Sequence, residues 1–190
     1  MPEAPLIVKD DSTLIAQAKS GDTQAFGILY ERYVTNIYRF ICAQLPDSND
    51  AEDLTAEIFL KAWGALSRYR ERGYPFSAFL FKISRNALID FRRKKLKEVK
   101  NSQELIESLK DRNIQISNEI VKDQTHQNLW NFLGELRENY RSVLVFRFIN
   151  GLTTREISRI MGRSEGNIRV MQHRALSDLR KKMDQNRNDP

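Results

Sequence analysis

Apolar side chains recur at three- and four-residue spacing through Phe26, Leu29, Tyr30, Tyr33, Ile37, Phe40 and Ile41, the stripe of an amphipathic helix running to about Leu45. Ahead of it, Leu14, Ile15 and Ala18 predict a short helix over residues 12–20, with Ser12 as its cap, Gly21 at its end and Asp22 as the next cap. Pro46-Asp47-Ser48-Asn49-Asp50 is turn chemistry. Leu54, Ile58, Ala62 and Leu66 then form a third stripe, with Phe59 and Trp63 beside it. The first turns of that helix carry Asp50, Glu52, Asp53 and Glu57, at the positive end of its dipole. Residues 67–76 lose the period and contain Gly73 and Pro75, which reads as a loop. Ser77 opens a further helix through Phe79, Leu80, Ile83, Ala87, Leu88 and Phe91, strongly basic at Arg92-Arg93-Lys94-Lys95.

Residues 97–125 are polar, with isolated Leu105, Ile106, Leu109, Ile114 and Ile116, and read as a flexible linker. Helical spacing resumes at Leu129, Trp130, Leu133, Leu136, Tyr140, Leu144 and Phe148. The run Val143–Phe148 before Asn150-Gly151 also fits a strand entering a hairpin turn; the spacing carried forward from Leu136 favours helix. No proline falls between Pro75 and Pro190 to break a helix. The fold class expected is all-α: two small helical domains, residues 1–96 and 126–190, joined by the linker 97–125.

Composition narrows the function. Of 190 residues, 41% are apolar, enough for a packed core, so wholesale disorder is excluded. No apolar run approaches the ~20 residues that span a bilayer, so membrane insertion is not expected. No basic segment leading into a long apolar one opens the chain, so a signal peptide is not expected and the cytoplasm is the default. Cys42 is the sole cysteine, which excludes an internal disulfide and a Cys-rich zinc site. The net charge of +6 is unevenly placed. Eight cations face two acids over residues 82–100, and twelve face seven over 126–190, whereas 1–81 and 101–125 are net acidic. Two basic blocks suggest two separate contacts with a polyanion.

Three constellations carry chemistry. Over residues 151–182, Thr153 or Thr154 caps a short helix holding Ile157, Ile160 and Met161. Gly162 turns the chain, and Ser164 caps a second helix holding Ile168, Met171, Ala175, Leu176 and Leu179. That is the helix-turn-helix layout, whose second helix enters a DNA major groove. Asn167, Arg169, Gln172 and Arg174 supply the donors that base edges and phosphates require. Over residues 69–95, Tyr69, Tyr74, Phe76, Phe79 and Phe81 interleave with cations, as in binders of unpaired bases, although a buried core would show the same composition. The carboxylates of 50–57 suggest a metal-dependent nuclease, but no histidine lies near them. Asp53, Glu57 and Lys61 form one helical stripe, better read as a solvated or partner-facing surface. His126 and His173 are too isolated to form a ligand set, so neither a metal nor a cofactor is expected.

Four segments, in order, resemble the extracytoplasmic-function group of the sigma-70 family, the small sigma factors of bacterial RNA polymerase. Asp22-Thr-Gln-Ala-Phe-Gly-Ile-Leu-Tyr-Glu-Arg-Tyr33 is similar to the opening of sigma region 2. Asp50-Ala-Glu-Asp-Leu-Thr-Ala-Glu-Ile-Phe-Leu-Lys-Ala-Trp63 is similar to its polymerase-binding helix, and Phe76-Ser-Ala-Phe-Leu-Phe-Lys-Ile-Ser-Arg-Asn-Ala-Leu-Ile-Asp90 to its promoter-melting segment. Gly151-Leu-Thr-Thr-Arg-Glu-Ile-Ser-Arg-Ile-Met-Gly162, Glu165-Gly-Asn-Ile-Arg169 and His173-Arg-Ala-Leu176 resemble region 4.

The resemblance implies a promoter-specificity subunit with no catalysis of its own. Its partners would be core RNA polymerase, through the β′ coiled coil and the β flap, promoter DNA, and an anti-sigma factor as a family expectation. It assigns polymerase binding to Asp50, Asp53, Glu57 and Lys61. It assigns the −10 element to Tyr69, Phe76, Phe79, Arg85, Asn86, Asp90 and Arg93. The −35 element falls to Arg155, Ser164, Glu165, Asn167, Arg169, Gln172, His173 and Arg174, and the linker would thread the polymerase cleft. The chain departs from the family where Ala56 replaces a frequent Gln, where Phe79 replaces a usual Trp, and where Val170-Met171 replaces a polar pair after Arg169. Rival readings are a stand-alone helix-turn-helix regulator, which would bind duplex promoter without polymerase, and the metal-dependent nuclease.

Overall fold

The computed structural model describes residues 10–70, 74–101 and 130–187. Every regular element among the described residues is helical, as the spacing predicts. The first helix, α1 (Asp11–Lys19), is capped by Asp10, which accepts from the Thr13 N–H at 2.8 Å, rather than by Ser12. The Asp10 carboxyl is held below its ordinary pKa chiefly by the Thr13 side chain, and next by the Thr13 N–H of the cap. Asp22 caps α2 (Thr23–Cys42) through the Gln24 and Ala25 N–H groups. Asp47 does the same for α3 (Ser48–Ala65), after which a 3₁₀ turn covers Leu66–Arg68. Each cap satisfies backbone donors that the helix leaves unpaired.

Helix α4 (Phe76–Asn101) begins one residue before Ser77 and continues past position 96. Expectations for residues 1–9 and for 102–129, which hold most of the linker together with His126 and Leu129, lie outside the described residues. A helical turn over 130–134 leads to α5 (Glu138–Leu144), prolonged by a π-helical turn, Val145–Ile149. Val143–Phe148 is therefore helix and not strand. The helix-turn-helix follows as α6 (Thr154–Met161) and α7 (Glu165–Arg187). Thr153 and Glu156 form a reciprocal capping box on α6. Gly162 ends α6 at φ 64°, a left-handed conformation that glycine adopts without a Cβ penalty.

Two halves can be traced, α1–α4 and α5–α7, yet they share one core. Phe40, Ile37, Leu54, Ile58, Leu80 and Phe81 fill the first half and are fully buried or nearly so. Phe146 from the π-helical turn enters that core, stacked on Phe40 at 4.6 Å and edge-on to Phe81 at 5.5 Å. A helical stretch that is apolar all round is buried on both sides, and Val143-Leu144-Val145-Phe146, which runs from the end of α5 into the π-helical turn, obeys this. Val143, Val145 and Phe146 join the shared core, while Leu144 joins a second cluster with Leu133, Leu136 and Ala175.

Polar contacts follow the same seam. Gln44 donates to the Ser142 hydroxyl at 3.2 Å, and Asn150 to the Asn36 carbonyl at 3.2 Å. Arg92 donates to the Gln44 carbonyl at 2.7 Å and pairs with Glu138 at 2.5 Å. Arg141 is buried and donates to the carbonyls of Ala43, Gly134 and Leu136. Burial, with Arg92 nearby, lowers its pKa to about 10.

Candidate nucleic-acid interface

The second helix of the helix-turn-helix meets its sequence reading closely. Ile168, Met171 and Ala175 point inward, as the helical spacing requires, and Leu179 is half-buried, whereas Leu176 is exposed. Asn167, Arg169, His173 and Arg174 are exposed, together with Ser164 and Arg155. Ser164 accepts from the Asn167 N–H at 3.2 Å and so caps α7. Arg169 lies 3.5 Å from Glu165 in an exposed i, i+4 pair that leaves its guanidinium mostly in solvent. Gln172 is half-buried, with its amide nitrogen unpartnered. The geometry can present amide and guanidinium donors along one helix edge, over the first turns where a groove-inserted helix meets bases.

The aromatic segment behaves differently. Phe76 is 2% exposed and Tyr69 is 7% exposed, so neither presents a face to an incoming base in this conformation. They lie in a ring cluster: Tyr69 and Phe76 are 5.5 Å apart, Phe79 is 4.9 Å from Tyr69, and Tyr33 is 5.7 Å from Phe76. Helix α1 contacts this cluster through Lys19 and Asp11. Lys19 donates to the Tyr69 carbonyl at 2.5 Å and lies over the Tyr69 ring, while Asp11 pairs with Arg32 and accepts from the Tyr33 hydroxyl. Burial, reinforced by Asp11, pushes the Tyr33 hydroxyl well above its usual pKa. The stacking platforms read on Tyr69 and Phe76 are thus core side chains here, and Phe79 is half-buried against them. The loop ring turned toward the second half is Tyr74. The Arg159 guanidinium lies 3.5 Å from its centroid and Arg155 at 5.9 Å.

Beyond the loop, α4 presents Lys82, Asn86, Asp90 and Arg93 along one exposed stripe, with Arg85 half-buried beside it. Arg93 pairs with Asp90 at 3.0 Å. Arg92 and Lys95 of the basic cluster turn to protein partners instead, Arg92 to Glu138 and Lys95 to Asp50. Asp50 is accordingly less available than Asp53 and Glu57, which are exposed on α3, Glu57 pairing with Lys61 at 2.6 Å. Leu60, one turn on from Glu57 and on the same face, is 72% exposed. Sequence reading passed over it; the signal was its i+7 spacing from Asp53, off the Leu54/Ile58 stripe. Cys42 is buried, and burial raises its thiol pKa to about 11. Among the described residues no group of three or more His, Cys, Asp or Glu is placed to hold a metal ion, and no helix is long and apolar enough to cross a membrane.

Comparison with known proteins joins these surfaces. The Sigma-70 region 2 family matches residues 29–98, and the Sigma-70, region 4 family matches residues 126–179. The sequence is 34% identical over 152 residues to the ECF RNA polymerase sigma factor SigM of Bacillus subtilis, covering 80% of this chain and 91% of SigM. It is 31% identical over 168 residues to the ECF RNA polymerase sigma factor BldN of Streptomyces coelicolor, covering 87% of this chain and 63% of BldN. In fold it resembles the sigma factor RpoE of Bartonella quintana, solved with the anti-sigma factor NepR. The TM-score is 0.73 at 22% identity, over 87% of this chain and 98% of RpoE. With both regions matched in order and the relationship to SigM running nearly end to end, the chain belongs to the extracytoplasmic-function group of the sigma-70 family, the promoter-specificity subunits of RNA polymerase.

Proposed function

We propose how this chain divides the work of a sigma subunit among its own residues. Residues 1–96 form the unit that docks on core polymerase and takes the −10 element, and residues 126–190 the unit that reads the −35 element. Docking uses the α3 face of Asp53 and Glu57 with Lys61, and Leu60 as an apolar anchor among them; Asp50 acts at its edge. The −10 strand runs along Asn86, Asp90 and Arg93 of α4, with Arg85 and Phe79 at its side. The −35 duplex takes the N-terminal half of α7, from Ser164 and Glu165 through Asn167, Arg169, Gln172, His173 and Arg174, with Arg155 on the backbone. The chain catalyses nothing itself, needs no cofactor, and acts in the cytoplasm. An anti-sigma partner is proposed by analogy, because the structural relative RpoE was solved with one.

The observation that carries this reading is the orientation of α7, with Ile168, Met171 and Ala175 buried and Asn167, Arg169 and Arg174 outward. Run-off transcription with purified core polymerase tests it. Wild-type protein should start transcripts at defined sites, and Asp53→Lys with Glu57→Lys should weaken core binding strongly without unfolding the chain. Exposed helix charges contribute little to stability, whereas like charges facing across an interface cost several kcal/mol. Tight duplex binding without core polymerase, and no transcription with it, would identify a stand-alone regulator instead.

A further inference from the structure

The outward side of α7 is not uniformly polar. At about 100° per residue, the line opposite the buried Ile168, Met171 and Ala175 runs through Gly166, Val170, His173 and Ser177, all exposed. Arg169 falls to one side of that line, and Asn167 and Arg174 to the other. Single exposed apolar side chains are ordinary on a protein surface. Val170 is set apart by its place: it is 50% exposed at the centre of a face whose edges carry the polar groups.

Gly166 lies one turn earlier on the same line. Its backbone is not in the left-handed region, and a Cβ there would meet nothing within 4 Å. Neither conformation nor packing inside the chain therefore calls for glycine, which weakens a helix relative to alanine. The missing side chain lets the first turn of α7 approach closely whatever lies before it. Val170 is then the first side chain on the line to reach the floor of a groove.

The chemistry of the major groove decides what Val170 can meet there. Guanine, adenine and cytosine present only hydrogen-bonding groups along that edge, whereas thymine adds its C5-methyl. An isopropyl group over a donor or acceptor strips it of water and returns no hydrogen bond, which is unfavourable. Over a methyl group it removes two apolar surfaces from water, which is favourable.

We propose that Val170 is a specificity-determining residue, reading the C5-methyl of a thymine in the −35 element while Arg169 and Asn167 supply hydrogen bonds beside it. The proposal rests on the sigma-subunit reading above. It gives the reading face of α7 an apolar centre that selects by contact, between polar edges that select by donors.

Deoxyuridine tests this, because it differs from thymidine only by that methyl. Each thymine of the −35 element, on either strand, is replaced in turn, and promoter affinity is measured by competition with the full chain assembled on core polymerase. Burying one methyl is worth about fourfold in affinity, so replacement at the contacted thymine should weaken binding by about that factor. With Val170→Ser, thymine and deoxyuridine at that place should bind equally well. The exposed position predicts that this variant keeps its Tm and its affinity for core polymerase. An element in which no thymine responds would overturn the proposal, and so would a deoxyuridine penalty as large in Val170→Ser as in the wild type. A wild-type assembly that selects no promoter at all would instead show that the sigma-subunit reading has failed.

Discussion

Helix α7 and the loop between α3 and α4 were both read as nucleic-acid surfaces, and the fold treats them in opposite ways. In α7 the inner stripe of Ile168, Met171 and Ala175 fixes the helix, and the polar candidates fall outward by geometry. At the two ends of that loop, Tyr69 and, at the start of α4, Phe76 are drawn into a ring cluster that α1 closes through Lys19 and Asp11. The difference lies in periodicity. A helix declares which side is buried, whereas a loop does not, and an aromatic among cations satisfies a core as readily as a base platform.

The sharpest way to break the contrast is to truncate the buried ring where the loop enters α4. Phe76→Ala removes a fully buried aromatic and should cost about 3–5 kcal/mol of stability, read from urea denaturation monitored by circular dichroism. Transcription should then fall alike on duplex and on pre-melted bubble templates, because the lesion is in folding. A stable variant rescued by the bubble would return Phe76 to the promoter surface.

On the other side of the contrast, Arg169→Ala should leave stability unchanged, since its pair with Glu165 is exposed. It should cost about 1–3 kcal/mol in promoter binding and relax preference at one or two positions of the −35 element. A panel of single-base promoter variants checks this. Unaltered relative preferences would show that α7 lies in a different register from the one proposed.

How much of this was legible follows the same physical line. The caps at Asp22, Thr153 and Ser164 and the turn at Gly162 are local chemistry, written within a few residues, and they stand where the sequence puts them. The inward stripes of α2, α3 and α7 follow from spacing alone, except that Tyr30, counted on the α2 stripe, is exposed. What escaped were consequences of non-local packing. The seam between Phe146 and the pair Phe40/Phe81 joins positions more than sixty residues apart, and buried Gln44 and Arg141 take their partners across that seam. One trace of it was present: Val143–Phe146 has no polar face, which a helix buried on two sides requires. Exposed Leu60 was legible in principle, since it breaks the apolar stripe of its own helix.

A smaller effect tests whether local chemistry alone holds the helix-turn-helix in place. Thr153 accepts from the Glu156 N–H at 3.2 Å while the Glu156 carboxylate takes the Thr153 N–H at 2.7 Å. Thr153→Ala should cost about 1 kcal/mol, the usual scale for a lost cap, seen as a modest fall in Tm. Base preference should not change, because the cap lies at the start of α6 and not on the reading helix.

The smallest expected effect separates two cations on one helix. Arg174 follows Arg169 by five residues, about 7.5 Å along the axis at roughly 1.5 Å per residue, and both are exposed. That displacement takes Arg174 beyond the first turns, where a groove-inserted helix meets base edges, and toward the flanking phosphates. Arg174→Ala should weaken binding to every promoter variant by the same factor. It should also lower the slope of log K against log salt by about 0.9, the amount for one phosphate contact. Titrations at two or more salt concentrations with the Arg169 panel resolve the pair: one variant changes which sequence is preferred, the other changes only how salt competes. A change of base preference in Arg174→Ala would move the reading surface a full turn along α7 and reassign Arg169 to the backbone.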